Sequence, residues 1–459
     1  MKVKATNEMS RRGFFGTTTR SVLGTAAFSH SLRGMFGPSG AAVIEADLRS
    51  AATPVNRMIF GQFIEHFHRQ VYGGIFEPGS ALSDGRGFRK DVMAALRELK
   101  VPVVRWPGGC FVSGYHWKNG VGPKRVPAYD KAWKVEDPNT FGTDEFVTWC
   151  RELGAEPYIC TNAGSGTPEE MSDWVEYCNL RGAGQYARMR EANGFVEPHN
   201  VRHWSIGNEN YGGWEIGAKT VDEWGYFVRE SAKMMRMVDP SINLFAAAQS
   251  NREWTMPLLE RAGDYLDYIS IHGYWDPLWQ VNNVSAFADC MMRSIKPEQQ
   301  ILDTVAILEE AKLSDKVKIA FDEWNLRGWH HPGNFPIKKS DELLKERDKN
   351  DLNDTYTMKH GDDSVPVLDA VVTCSDDRRA VSIAIVNRHP DVTVVCRPML
   401  ANVFRNPRST VTILTGDSPD AYNDVNHPER VKPETRRLDG YDGTIALGPH
   451  SVNVLRLTM

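Results

Sequence analysis

Cysteine is scarce in this 459-residue chain. The seven are Cys110, Cys150, Cys160, Cys178, Cys290, Cys374 and Cys396. Their odd number and irregular spacing, with no C-x-x-C or H-E-x-x-H pattern, argue against a disulfide framework or a structural zinc site. The His330-His331 doublet has no carboxylate at ligand spacing and reads as a surface loop. No stretch reaches the roughly 18 apolar residues of a membrane span. Excess positive charge is missing too: 54 Lys and Arg stand against 59 Asp and Glu, a net charge of −5, which argues against a partner held by phosphate contacts. A glycine-rich phosphate turn is also absent, since Phe60-Gly61-Gln62-Phe63 does not supply one. That disfavours a dinucleotide-binding open sheet.

What is present is close to the globular average: 41% hydrophobic and 25% charged residues. The length suits two or three ordinary domains, or one large barrel with an appendage. Thirteen Trp in a mildly acidic chain suit a site that stacks on sugar rings, although core packing is the default for any one of them. Residues 1–40 carry six Lys and Arg but one Glu. Within them Ser10-Arg11-Arg12-Gly13-Phe14, followed by an apolar stretch to Phe28, reads as a twin-arginine export leader.

From Met58 onward the chain alternates apolar runs with amphipathic stretches. Strands are predicted at Met58–Glu65, Val101–Pro107, Glu156–Asn162, Val201–Asn208, Ile242–Gln249, Tyr265–His272 and Lys318–Glu323. Helices are predicted at Phe88–Leu99, Asp144–Leu153, Pro168–Asn179, Val221–Val238 and Ala286–Leu313. Seven buried strands alternating with helices indicate a parallel α/β architecture, a (β/α)8 TIM barrel whose active site gathers at the C-terminal strand ends. The eighth unit is missing. In its place Ile337–Asp363 has 14 charged residues in 27, with room for one exposed helix at Ser340–Asp351. Beyond it, period-two runs at Pro366–Cys374, Ala380–Asn387, Val392–Cys396, Thr410–Leu414 and Val452–Leu457 predict a C-terminal antiparallel β-sandwich. The expected organisation is a leader at 1–40, a strand segment at 41–57 that pairs with the β-domain, a barrel at 58–336, a charged linker at 337–364 and a β-sandwich at 365–459.

Two strand ends carry the chemistry. Trp204-Ser205-Ile206-Gly207-Asn208-Glu209-Asn210 closes the fourth strand and Ala320-Phe321-Asp322-Glu323-Trp324-Asn325 the seventh. Glu209 and Glu323 stand 114 residues apart, close to three βα units, and in a barrel such ends converge. A retaining glycosidase requires two such carboxyls, about 5–5.5 Å apart, one protonated and one ionised. Other strand ends add Glu65 with His66, Arg105, Asn162, and His272 with Tyr274. Arg105 suits a clamp on a carboxylate such as Glu323. Tyr274 suits a hydrogen bond to the nucleophile, and Glu65 with Asn208 suits sugar hydroxyls. As a set these groups resemble a sugar pocket more than a metal or phosphate site.

The stretches Phe60-Gly61-Gln62-Phe63-Ile64-Glu65-His66, Arg105-Trp106-Pro107-Gly108-Gly109, Asn139-Thr140-Phe141-Gly142-Thr143-Asp144-Glu145-Phe146, Gly207-Asn208-Glu209-Asn210 and Phe321-Asp322-Glu323-Trp324-Asn325 together resemble the α-L-arabinofuranosidases of glycoside hydrolase family 51. The resemblance runs from about residue 42 to 335 and resumes in the β-domain. It implies a (β/α)8 barrel with a β-sandwich, retention of configuration, no cofactor and no metal. It also implies acid/base Glu209 and nucleophile Glu323, with Glu65, Arg105, Cys110, Asn208 and Tyr274 around the furanose and Trp133 as a pocket wall. His272 joins this set as a polar strand-end residue. The implied partner is an arabinose-containing oligo- or polysaccharide rather than nucleic acid or membrane, and a homo-oligomer is allowed. Against the family pattern, the segment after the nucleophile is shorter by several tens of residues. Two other readings stand beside the leading one: an endoglucanase or xylosidase with the same carboxylate pair, because loops set the substrate, and an inactive sugar-binding remnant.

Overall fold

The computed structural model describes residues 26–28, 42–48, 53–67, 69–277, 287–327, 357–360, 363–401, 407–419, 421–423 and 426–459. His330-His331, the arginine pair of the leader and the helix expected at Ser340–Asp351 lie outside the described residues. The described chain divides into two compact units: Arg57–Gly273 with Gln299–Trp324, and the remainder.

The first unit is a nearly closed parallel barrel. Its strands are β1 (Gln62–Phe63), β2 (Val103–Trp106), β3 (Glu156–Thr161), β4 (His203–Ile206), β5 (Asn243–Ala247), β6 (Tyr268–Pro277) and β7 (Lys318–Arg327). They lie side by side in chain order from β1 to β7, and among the described residues no eighth strand joins them. Register carries the strand ends to one level: Phe63 pairs with Arg105, Trp106 with Ile159, Thr161 with Ile206, and Ile206 with Ala246. The strands form where apolar residues run continuously, because both faces of a parallel sheet are covered. Helices follow capping signals. Thr167 accepts from the Glu170 N–H ahead of Pro168–Asn179, and Thr220 with Glu223 forms a capping box ahead of Val221–Val238.

The structure corrects several expected boundaries. Met58, Ile59 and Phe60 belong to a 3₁₀ turn, Arg57–Phe60, and are exposed; the apolar run there suggested a strand by composition alone. One expected helix, Ala286–Leu313, is two, Phe287–Arg293 and Lys296–Glu310. Pro297 stands in the first turn of the second, where its missing N–H costs nothing. Helices Gln185–Ala192 and Arg252–Ala262 carry weak signals and were not expected; the second contains Pro257. Tryptophan supplies core rather than sugar platforms at six of the described positions. Trp106, Trp117, Trp149, Trp174, Trp204 and Trp224 are all essentially inaccessible.

The second unit contains a sandwich. Its larger sheet runs in the order Glu434–Arg437, Arg408–Leu414, Ser451–Thr458, Ala380–Asn387, Leu368–Cys374, Ala26–Phe28, Thr53–Pro54. Residues 26–28 of the segment read as a leader thus pair in this sheet. A smaller sheet joins Ala42–Asp47, Val394–Ala401 and Ile445–Leu447. Ala42–Asp47 pairs in parallel with Val394–Ala401, an exception in an otherwise antiparallel unit. Ile383, Ile385, Val411 and Leu455 of the large sheet meet Ile44, Val394 and Leu447 of the small one in one core, the alternation of inward residues that a sandwich requires.

Candidate active site

The carboxyl ends of the barrel strands bring Glu65, Arg105, Asn208, Glu209, His272 and Glu323 together, all but His272 essentially buried and its side chain only 4% exposed. Arg105 is the hub. Its Nη1 donates to Glu323 Oε1 at 2.5 Å, its Nη2 donates to Asn208 Oδ1 at 2.6 Å, and its Nε lies 3.4 Å from Asp322 Oδ2. One oxygen each of Glu209 and Glu323 and a nitrogen of His272 lie within 4.8 Å of one another. Retaining glycosidases hold their two carboxyl groups about 5–5.5 Å apart.

His272 is placed among three carboxylates. Its Nδ1 is 2.8 Å from Glu209 Oε1 and 3.4 Å from Glu323 Oε2, and its Nε2 is 3.4 Å from Asp322 Oδ1. Burial by itself would lower its pKa; Glu323 and the hydrogen bonds to Asp322 and Glu209 raise it to about 10. Asp322 also accepts from Tyr158 and Ser270, at 2.9 and 2.7 Å. Burial alone would push its pKa up, but Arg105 and His272 outweigh burial and hold it at about 2. Arg105 and His272 therefore stand among the buried Glu65, Glu209, Glu215 and Glu323 and the half-buried Asp322. Asp322 takes the charge, while burial, followed by repulsion from Glu323, lifts Glu65 well above the usual range. Environment thus pulls the two carboxyls Glu65 and Asp322 in opposite directions.

Glu209 carries φ +45°, a left-handed conformation that non-glycine residues rarely hold and that clusters at functional sites. Its Oε2 accepts from the indole of Trp214, at 2.9 Å, and Trp214 itself is 62% exposed. Across the site Trp133 stands on the turn of a hairpin, Ala128–Asp130 and Val135–Asp137. Its indole donates to Glu65 Oε1 at 2.9 Å and its ring packs 4.3 Å from Phe67. Gly109, with φ +58°, passes so close to the Glu65 carboxylate that a Cβ there would overlap it. Cys110 follows, half-buried, and burial with the neighbouring Glu215 raises its thiol pKa, so it stays protonated. Tyr274 follows His272 by two residues along β6.

Three residues of the site carry no assigned role in the sequence reading. Asp322 was read as part of a motif without a role. His66 donates from Nδ1 to Asp137 at 2.6 Å and accepts the Trp106 indole N–H at Nε2, at 3.0 Å. This pair of bonds selects one tautomer and braces the strand end beside Glu65. Glu215 was not singled out at all. It lies six residues past Glu209 and carries no motif signal, and only the fold places it beneath Asn208. Two groups have the spacing of metal ligands: Cys110 with Glu209 and Glu215, and Glu209 with His272 and Glu323.

Residues 95–293 match the α-L-arabinofuranosidase 1 domain family. An intracellular exo-α-(1→5)-L-arabinofuranosidase of Acetivibrio thermocellus is 39% identical over 292 residues, covering 61% of this chain and 57% of that protein. An α-L-arabinofuranosidase C of Emericella nidulans is 40% identical over 294 residues, covering 59% and 57%. The chain thus spans little more than half the length of these curated relatives. Among solved structures, an α-L-arabinofuranosidase of Thermotoga maritima in complex with arabinose superposes with a TM-score of 0.79. It is 32% identical, with 90% of this chain and 99% of that one covered. A thermostable family 51 α-L-arabinofuranosidase of Thermotoga petrophila gives a TM-score of 0.77 at 31% identity, with 90% and 99% covered.

Proposed function

The chain belongs to the α-L-arabinofuranosidases of glycoside hydrolase family 51, and from that premise we propose that it is a retaining hydrolase releasing terminal α-L-arabinofuranosyl residues from arabinose-containing poly- and oligosaccharides. One observation carries the reading: oxygens of the buried Glu209 and Glu323 carboxyls approach within 4.8 Å, one just beyond β4 and the other within β7. Glu323, aimed by the fixed fork of Arg105, attacks the anomeric carbon while Glu209 protonates the departing oxygen. A glycosyl–enzyme ester forms. Glu209 then takes a proton from water, which displaces Glu323 and returns the original configuration. Glu65, Cys110, Asn208, His272 and Tyr274 surround the furanose, with Trp133 as a wall.

Kinetics on nitrophenyl glycosides tests this. Glu323→Ala abolishes turnover, whereas Glu209→Ala spares substrates whose leaving group needs little protonation, and azide restores rate as a glycosyl azide of retained configuration. Near-normal activity of Glu323→Ala overturns the assignment. Parallel assays on arabinofuranoside, xyloside and glucoside separate this activity from a xylosidase or endoglucanase, and no turnover on any of them favours a sugar-binding remnant. Homo-oligomer formation belongs to the same reading and is checked by light scattering.

The Arg11-Arg12 pair ahead of an apolar stretch supports export through the twin-arginine route, although two similar proteins are named intracellular. Replacing both arginines by lysine then retains the product in the cytoplasm. Equal amounts outside the membrane with and without the change defeat the export reading.

A further inference from the structure

Two consecutive turns follow Glu209. The Gly212 N–H donates to the Glu209 carbonyl at 2.7 Å, and the Glu215 N–H donates to the Gly212 carbonyl at 3.0 Å. They bring the Glu215 side chain back under the end of β4, where it is 5% exposed. There it accepts two hydrogen bonds. Asn208 Nδ2 donates to Oε1 at 2.8 Å and Ser113 Oγ donates to Oε2 at 2.7 Å, and the Cys110 sulfur lies within 4.8 Å of a carboxyl oxygen. Donors converging on both oxygens suit a side chain that accepts at each, as a carboxylate does.

The amide of Asn208 has two ends, and both are committed. Nδ2 faces Glu215 while Oδ1 accepts from Arg105, the same guanidinium that holds Glu323. A flipped amide would point N–H groups at the guanidinium and an oxygen at the carboxylate, and lose both bonds. We propose that Glu215 is a positioning residue of the hydrolytic site, acting through Asn208 by fixing its amide orientation and, through it, the seat of Arg105 against Glu323. The proposal rests on the glycosidase reading given above for its effect on turnover, and on the hydrogen-bond geometry for its effect on Asn208. Burial raises the Glu215 pKa while its hydrogen bonds pull it back, as for a carboxyl built into a network. The charged and titratable groups around Glu209, next to it, are His272 from β6, Glu323 from β7, Cys110 from the loop after β2, and Tyr211 and Glu215 from its own loop.

Four variants test the idea: Glu215→Gln, Glu215→Leu, Asn208→Ala and the Glu215→Leu/Asn208→Ala double. Gln keeps an oxygen for Asn208 Nδ2 and turns its NH2 to Ser113, which accepts; its kcat/KM stays within about threefold of the parent. Leu fills similar space with no acceptor, and kcat falls about 10–100-fold with KM changed far less, the scale of a small misplacement at a reacting centre. The double variant is no slower than Asn208→Ala, because the two residues act as one unit. Independently of turnover, the Asn208 side-chain NH2 signals in a ¹⁵N–¹H spectrum, assigned by their loss in Asn208→Ala, are protected from exchange in the parent and in Glu215→Gln but not in Glu215→Leu. Parent-like kinetics and protection in Glu215→Leu overturn the proposal, as do losses that multiply in the double variant. If the parent itself turns over no arabinofuranoside, the glycosidase reading fails, and the NH2 protection alone decides the role of Glu215.

Discussion

His272 is 2.8 Å from Glu209 and 3.4 Å from both Glu323 and Asp322, and this crowd of carboxylates has consequences for pH. Its pKa rises from 6.5 to about 10 on folding. The stabilisation it supplies is therefore complete below its unfolded value and fades as pH climbs through about 10. Asp322 runs the other way: lowered from 3.8 to about 2, its contribution is complete above 3.8 and is lost as pH falls through about 2. Replacing His272 by Gln removes the alkaline component. Urea unfolding of the parent followed by Trp fluorescence shows stability falling between pH 7 and pH 10, steeply compared with His272→Gln, whose curve is flatter over that window. The variant is also the less stable at pH 7, since three carboxylates lose their cation. A variant with the parent's slope would show that His272 is not the titrating group.

Helix Val221–Val238 follows the loop that carries Glu209 and Glu215, so its start fixes where that loop ends. Thr220 accepts from the Glu223 N–H and Glu223 reaches back to the Thr220 N–H. Further along, the Trp224 indole donates to the Ala247 carbonyl at 2.8 Å and ties the helix to β5. Thr220→Ala leaves helix donors unsatisfied and costs about 1 kcal/mol of stability, read as a lower denaturant midpoint with an unchanged slope. Because Trp224 still anchors the helix, kcat/KM stays within about twofold. A larger fall in rate would mean that the cap, and not the anchor, holds the loop. Both signals of this helix, the Thr-x-x-Glu box and the apolar period, were legible before folding. The break between Phe287–Arg293 and Lys296–Glu310 was not: one amphipathic stretch runs across it, and Met292 of the first piece is claimed by the sandwich core.

In the barrel as a whole, strand order makes the ends unequal. β3 and β4 each pair with two strands, whereas β1 is two residues long and has β2 as its neighbour among the described strands. Amides are protected in proportion to the cost of opening their segment. Hydrogen exchange followed by mass spectrometry should thus show Gln62–Phe63 exchanging well before Glu156–Thr161. The segment leads straight into Glu65, so the hydrogen bond between Glu65 and Trp133 borders this end of the sheet. Equal protection of the two strands would show the barrel closed beside β1 as firmly as in its middle.

What the sequence determined by itself is whatever is written in local period and local chemistry. Seven apolar strand runs with helical periods between most of them, the capped helices Pro168–Asn179 and Val221–Val238, the period-two runs of the sandwich and a Glu in each of two strand motifs need only a few neighbouring residues to be read. Tertiary structure decided the rest, because those features depend on partners far away in the chain. Arg105 meets Glu323 across 218 residues, and Ala42–Asp47 finds a parallel partner in Val394–Ala401. Met58–Phe60 turns out to solvent in spite of its apolar composition. Glu215 shows the difference most plainly. In sequence it is one acid among 59 Asp and Glu, with nothing to mark it. Two tight turns and a barrel loop put the Asn208 and Ser113 donors around it, and a buried carboxyl acquires its role from the groups that surround it, not from its place along the chain.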